Sequence, residues 1–142
     1  MIIKANQEDT NEILKYAAQS LFGGTRGNCR LSTEKAIEIT KPIVEKGAYY
    51  LVVKKENKIM GWILMGENVD NFSREKLGFI YELYILPEYR GRGLSRVLME
   101  AGIKELKETY PEIRLNVFAG NFAKEMYEEF GFVERQVIMT LK

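Results

Sequence analysis

The chain has 142 residues, 46% of them hydrophobic, with 21 Lys and Arg against 20 Asp and Glu, one Cys and no His. That length suits one domain of ~100–200 residues, and a net charge of +1 supplies no general field for drawing in nucleic acid or an anionic membrane. With no imidazole, proton transfer near neutral pH falls to a carboxylate, a Tyr, a Lys, the lone thiol or water, and neither an intrachain disulfide nor an ordinary zinc site is expected.

Residues 2 to 5 read as a short first strand. Asp9 or Thr10 caps a helix in which Ile13, Leu14, Ala17, Ala18 and Leu21 recur at helical spacing, broken by Gly23-Gly24-Thr25-Arg26-Gly27. Ser32 or Thr33 caps a second helix through Ala36, Ile37, Ile39 and Ile43, in which Pro42 predicts a kink or a break. Tyr49 to Lys54 and Ile59 to Gly66 form a hairpin across Glu56-Asn57-Lys58. Residues 78 to 86 predict a central strand, mostly apolar on both faces. Phe79, Tyr81, Leu83 and Ile85 take one face, and Ile80, Glu82, Tyr84 and Leu86 the other.

A helix over 93 to 109 follows, with Leu94, Val97, Leu98, Ala101 and Leu106 facing inward. Ile113, Leu115 and Val117 alternate as a further strand. Ala123, Met126, Tyr127 and Phe130 mark a last helix closed by Gly131, and Val133 to Leu141 predicts a final strand. Strand 78–86, helix 93–109 and strand 113–118 have the order of a right-handed parallel crossover. An α/β or α+β domain with a mixed sheet is the expectation. Met1-Ile2-Ile3-Lys4 runs at once into polar residues and no apolar run reaches spanning length, so the expected location is the cytoplasm, whose reducing conditions suit Cys29 as an ordinary free thiol.

The junction Leu86-Pro87-Glu88-Tyr89-Arg90-Gly91-Arg92-Gly93-Leu94-Ser95 joins a strand to a helix through glycines and arginines. A helix start leaves backbone N–H groups unpartnered and carries partial positive charge, and glycines let an anion approach the main chain, so a phosphorylated ligand is expected. No Lys-Ser or Lys-Thr pair follows to make a nucleotide-hydrolysing loop, and Arg96 stands beyond Ser95 where a dinucleotide fingerprint would continue toward its third glycine. An RNA-binding reading of Arg-Gly-Arg-Gly predicts a steep salt dependence, and the near-zero net charge argues against it.

Arg90-Gly91-Arg92-Gly93-Leu94-Ser95, with its lead-in Leu83 to Tyr89, resembles the Arg/Gln-x-x-Gly-x-Gly/Ala motif of the GNAT (Gcn5-related) N-acetyltransferases. Downstream, Ala123, Tyr127 and Phe130-Gly131-Phe132 resemble the family's Asn-x-x-Ala-x-x-x-Tyr-x-x-x-Gly-Phe helix motif. Sharp matches occupy residues 79 to 132. Two positions depart: Ser95 replaces Gly or Ala, and Gly120 takes the family Asn position while Asn121 sits one residue late.

The resemblance implies a single domain over residues 1–142, with a mixed, mostly antiparallel central sheet, a splayed parallel strand pair and about four flanking helices. It also implies acetyl-CoA as co-substrate, with no metal. The pyrophosphate would rest on the N–H groups of Arg90, Gly91, Arg92, Gly93, Leu94 and Ser95. The pantetheine arm would pair with Leu83 to Ile85, and Asn121 either contacts the arm or serves only as an N-cap. The acceptor would be a small-molecule amine or a protein or peptide amine, with neither nucleic acid nor membrane as partner, and a homodimer is compatible with this.

By the same resemblance Tyr127 is the acid that protonates the leaving thiolate, against its reading as a core tyrosine on an apolar stripe. Glu82, the single charged residue inside the apolar strand, is the base candidate because desolvation would raise its pKa toward working pH. A structural carboxylate is the competing reading, with Tyr81, Tyr84 or a water chain as base instead. The expected reaction is acetyl transfer to a primary amine by direct attack in a ternary complex. An acyl-CoA-binding module without transfer is the alternative.

Overall fold

The computed structural model describes all 142 residues. Five strands stand in the order β1-β2-β3-β4-β5: β1 (Ile2–Lys4), β2 (Tyr49–Lys55), β3 (Lys58–Val69), β4 (Lys76–Ile85) and β5 (Ile113–Leu115). The first four are antiparallel neighbours and β4 and β5 are parallel. The expected mixed, mostly antiparallel sheet is therefore present. The β2–β3 hairpin turns on Glu56 and Asn57, both at positive φ (52° and 64°), the backbone that matches the right-handed twist of a two-residue hairpin.

Helices α1 (Gln7–Leu14), α2 (Ala17–Gly24) and α3 (Thr33–Glu45) pack on one sheet face. Asn6 caps α1 in place of the expected Asp9 or Thr10, accepting from the Asp9 N–H while Asp9 answers to the Asn6 N–H. The single helix expected over this region is two, because the chain turns at Lys15–Tyr16. Ile13 and Ala17 both stay buried across the turn, and the Tyr16 ring lies 5.8 Å from Trp62.

Pro42, expected to kink or break the helix, leaves α3 continuous over Thr33–Glu45. Both Pro42 and Glu38, whose carbonyl loses its helical donor, are exposed, so water can serve that oxygen. Helix α4 (Leu94–Lys107) covers the other face, seating Leu98, Met99 and Leu106 over Ile63, Met65 and Ile80. Helix α5 (Ala123–Glu129) buries no residue. No helix is long and apolar enough to cross a membrane.

Strand β4 departs from simple alternation. Leu64 pairs with Glu82 and Met65 with Ile80, so Tyr81 is an extra residue, a β-bulge. The period-two pattern flips there, and Ile80 joins Leu83 and Ile85 on the α4 face instead of Tyr84 and Leu86 on the α1–α3 face.

Gly61 pairs with Ile85, and a Cβ there would stand 2.8 Å from the Tyr84 carbonyl oxygen and 2.5 Å from Ile85 Cδ1. Because backbone is the obstacle, Gly61→Ala is expected to cost roughly 1–3 kcal/mol, read as a lowered midpoint in urea with an unchanged slope.

The strand expected over Val133–Leu141 does not form: residues 133–142 join no strand of the sheet. Alternating apolar residues favour a strand, but its hydrogen bonds must come from a neighbour, and this chain brings none alongside.

Candidate active site

Parallel pairing of β4 with β5 covers only Gly78–Ile80 against Ile113–Leu115. Residues 81–85 of β4 therefore have no strand on that side, and this is the splay the sequence motif implied. Immediately beyond, Pro87–Tyr89 forms a single 3₁₀ turn, and Gly91 and Gly93 adopt φ of 81° and 75° before α4 begins. A Cβ at either glycine would meet nothing within 4 Å, but the left-handed backbone itself favours glycine there. The turn opens a concavity of about 110 Å³ lined by Ile85, Tyr89, Arg90, Gly91, Gly93, Leu94 and Ser95. No side chain caps α4, and no protein acceptor engages the N–H groups of residues 91–96. A run of free donors at a helix start is an anion cradle.

The arginines divide their tasks. Arg90 turns back to donate from Nε to the Ile85 carbonyl oxygen at 2.9 Å, with its guanidinium 5.2 Å from the Tyr84 ring centre. That carbonyl, expected to be open to a ligand, is thus occupied by this chain. Arg92 lies over the Tyr89 ring at 5.6 Å, and Arg96 pairs with Glu129 across α4 and α5.

Asn121 lies apart from the concavity. Its Oδ1 accepts from the Ala123 N–H at 2.9 Å, which is cap-like, and its Nδ2 donates to the Gly24 carbonyl oxygen at 3.4 Å. Arg26 likewise donates to the Ala119 carbonyl oxygen, so the loop after α2 is tied to the segment that precedes α5.

Glu82 lies beyond the bulge, on the α1–α3 face. Trp62 Nε1 donates to its Oε1 at 2.6 Å and Ser20 Oγ to its Oε2 at 2.9 Å. Desolvation raises the Glu82 pKa, and the two hydrogen bonds, which favour the charged form, only partly oppose it. The Tyr50 phenol is also pushed up, by its own burial and then by the Glu82 charge. Gln19 Nε2 donates to the Tyr84 hydroxyl at 2.6 Å in the same cluster.

No motif marks Ser20, and Trp62 reads as a strand residue with nothing to link it to Glu82, so neither is expected beside the Glu82 carboxylate. The available signal is a serine on the apolar stripe of α2, three residues after Ala17, which is buried with it.

Tyr127 packs at the edge of the α4-side core, edge-on to Phe132 with ring centres 6.2 Å apart. Burial alone raises its pKa, and no protein group hydrogen-bonds its hydroxyl. The structure thus gathers the glycine turn, Ile85 and Arg90 at one concavity, with Leu83 on the same β4 face. It sets Glu82 on the opposite sheet face and leaves Asn121 in a loop contact.

The model of the Acetyltransferase (GNAT) family matches residues 15–132. An N-alpha-acetyltransferase of Saccharolobus solfataricus is 29% identical over 103 residues, 66% of this chain and 62% of that one. An uncharacterized N-acetyltransferase of Bacillus subtilis, YycN, is 31% identical over 96 residues, 61% of this chain and 56% of its own. This chain therefore spans about three-fifths of the length of those relatives. Among solved structures, a putative acetyl transferase from Pyrococcus furiosus has a TM-score of 0.80 at 22% identity, covering 100% of this chain and 98% of that one. A possible acetyltransferase from Clostridium difficile 630 gives 0.76 at 22% identity, covering 100% and 95%. At such identity these likenesses speak for the fold.

Proposed function

This chain belongs to the GNAT acetyltransferase family, and from that premise we propose that it transfers the acetyl group of acetyl-CoA to a primary amine by direct attack within a ternary complex. The observation that carries the reading is the run of unpartnered N–H groups over residues 91–96, opening on a concavity beside the splayed end of β4. A diphosphate has the charge and the acceptor oxygens for that cradle. Apart from the Ile85 carbonyl held by Arg90, the strand-free edge of residues 81–85 suits an extended arm that adds to the sheet as a strand would.

In this reading the amine nitrogen attacks the thioester carbonyl carbon, the C–N bond forms and the C–S bond breaks. Glu82, on the other sheet face, accepts the amine proton through water, and Tyr127 gives its phenolic proton to the departing sulfur and regains one from solvent. Backbone donors that are already fixed stabilise the oxyanion of the tetrahedral intermediate at no cost in reorganisation. The acceptor is an amine of a small molecule or of a protein chain.

Coenzyme A binding is the first test. A ligand at about a hundredfold over its Kd adds ~2.7 kcal/mol to stability, which for a domain of this size raises Tm by roughly 5–10 °C. Saturating CoA and acetyl-CoA should both produce that rise. A Tm unmoved by millimolar coenzyme would end the transferase reading, and binding without acetylation of any amine in a panel would reduce it to an acyl-CoA-binding module.

A further inference from the structure

Two segments of the chain meet where the sheet parts. Helix α2 lies against the strand-free end of β4: Ser20 Oγ donates to Glu82, Gln19 Nε2 donates to the Tyr84 hydroxyl, and a Cβ at Gly23 would stand 3.8 Å from the Tyr84 ring. The loop that leaves α2 then runs to the segment that leaves β5. The Gly24 carbonyl oxygen accepts from Asn121 Nδ2 at 3.4 Å, and Arg26 Nη1 donates to the Ala119 carbonyl oxygen at 3.3 Å. The guanidinium sits so close to this segment that a Cβ at Gly120 would overlap Arg26 Nη1. Residues 23–26 therefore bridge from β4 to the chain beyond β5, across the gap that opens where their pairing stops at Ile80 and Leu115.

The bridge is basic and carries no acid. Residues 13–33 and 113–124 hold Lys15, Arg26, Arg30, Arg114 and Lys124 but neither Asp nor Glu. Arg114 is taken by Asp70 and Glu112, and Lys124 by Glu134. Arg26 and Arg30, both exposed, meet no carboxylate: Arg26 has the Ala119 carbonyl oxygen, and the Arg30 guanidinium lies 5.0 Å from the Phe22 ring centre. Glu82 gives its two oxygens to Trp62 and Ser20, and so answers neither arginine. A guanidinium stays charged at every working pH and presents a fork of donors, most of which are open here. On the same two segments Phe22, Phe118 and Phe122 are 42%, 45% and 89% exposed. Apolar surface left uncovered beside unpaired charge is a feature of ligand-facing rims.

Resting on the transfer reading above, we propose that Arg26 and Arg30 select the acceptor: an amine that carries a carboxylate within a few bonds of its nitrogen, with an apolar group beside it. The carboxylate receives charge-assisted hydrogen bonds from the guanidinium groups. A polyamine brings further ammonium groups to the same rim and is disfavoured by like charge. Fixed positive charge also lowers the pKa of the incoming ammonium, which leaves more of the neutral amine that attacks. The carboxylate is that of a free amino acid, or that of an acidic side chain next to a peptide N-terminus.

Matched acceptors that differ in charge read the selection. L-phenylalanine against L-phenylalaninamide tests the first source, and the tripeptide amides Ser-Glu-Phe against Ser-Lys-Phe test the second. In at least one pair the acid should have the higher kcat/KM by roughly 10–100-fold, the range for a hydrogen bond to a charged group. Loss of the carboxylate makes the phenylalaninamide nitrogen less basic, which by itself favours the amide, so preference for the acid comes from the rim. In R26Q/R30Q the ratio should fall to about one, and in R26E/R30E it should invert, a change that a merely structural role would not produce. R30Q alone, which keeps the tie from Arg26 to Ala119, should lower the ratio by about threefold or more. Each variant should keep the parent's Tm and its rise with CoA.

Calorimetry with and without saturating CoA reads the same selection apart from turnover. The acid of the preferred pair should bind the more tightly, and R26Q/R30Q should lose the difference. A chain that binds the acid in this way but acetylates no amine would end the transfer reading and leave the selection standing. No heat with either acid overturns the proposal. So does equal use of both members of both pairs, a better rate with spermidine than with either acid, or a ratio untouched in R26Q/R30Q.

Discussion

Replacing Glu82 with glutamine is expected to lower kcat by roughly 10²–10⁴-fold, the range for loss of a general base, while making the fold more stable at pH 8. The two effects share one cause. The substituted side chain keeps an oxygen for the Trp62 indole N–H and offers an amide to Ser20 Oγ, so packing and hydrogen bonding survive. What disappears is a carboxylate that burial holds above its ordinary pKa of 4.5.

For a carboxylate whose folded pKa is raised, the folded protein holds the proton that the unfolded chain has released. Stability therefore falls as pH climbs from about the unfolded value through the folded one. Glu82→Gln removes that loss: its Tm should exceed the parent's at pH 8 and match it near pH 4. Activity carries the opposite sign. A base must be deprotonated to act, so the parent's rate should fall on acidification along a limb that lies above the usual carboxylate range, and the variant should lose that limb. An unshifted pH–rate profile with kcat near the parent's would move the base to Tyr81, Tyr84 or a water chain.

Tyr127→Phe is expected to reduce kcat by about 10²-fold, the lower end for a proton donor, with the KM for acetyl-CoA within a factor of two and Tm within about 1 °C. The separation of activity from stability follows from the geometry. The ring's contact with Phe132 is retained by phenylalanine, and the hydroxyl that is lost has no hydrogen-bond partner in the protein. Burial raises the phenol's pKa, so it keeps its proton across the working range, which is the form an acid requires. Turnover within twofold of the parent would leave Tyr127 as a core residue only.

These two residues are legible in the sequence to different depths. Tyr127 is recognised by its spacing from Gly131, and its orientation follows from the stripe of a helix whose hydrogen bonds are all local. Glu82 stands out as one charge in an apolar strand. Its state, however, depends on Ser20, 62 residues away, and on Trp62 of the neighbouring β3, neither of which any local pattern connects to it.

Residue order alone carries the strand–turn–helix junction, the amphipathic face of α4, the parallel crossover and the family motifs, because helix periodicity and turn chemistry are written in residues a few positions apart. Which face Ile80 takes is settled only by packing in three dimensions, since the bulge at Tyr81 is a matter of register against β3. Folding also turns Arg90 onto Ile85 and Arg96 onto Glu129, away from the free charge that composition suggests. The segment after Phe132 marks the same boundary. Its pattern says strand, but strand hydrogen bonds run between segments, so the pattern alone forms none.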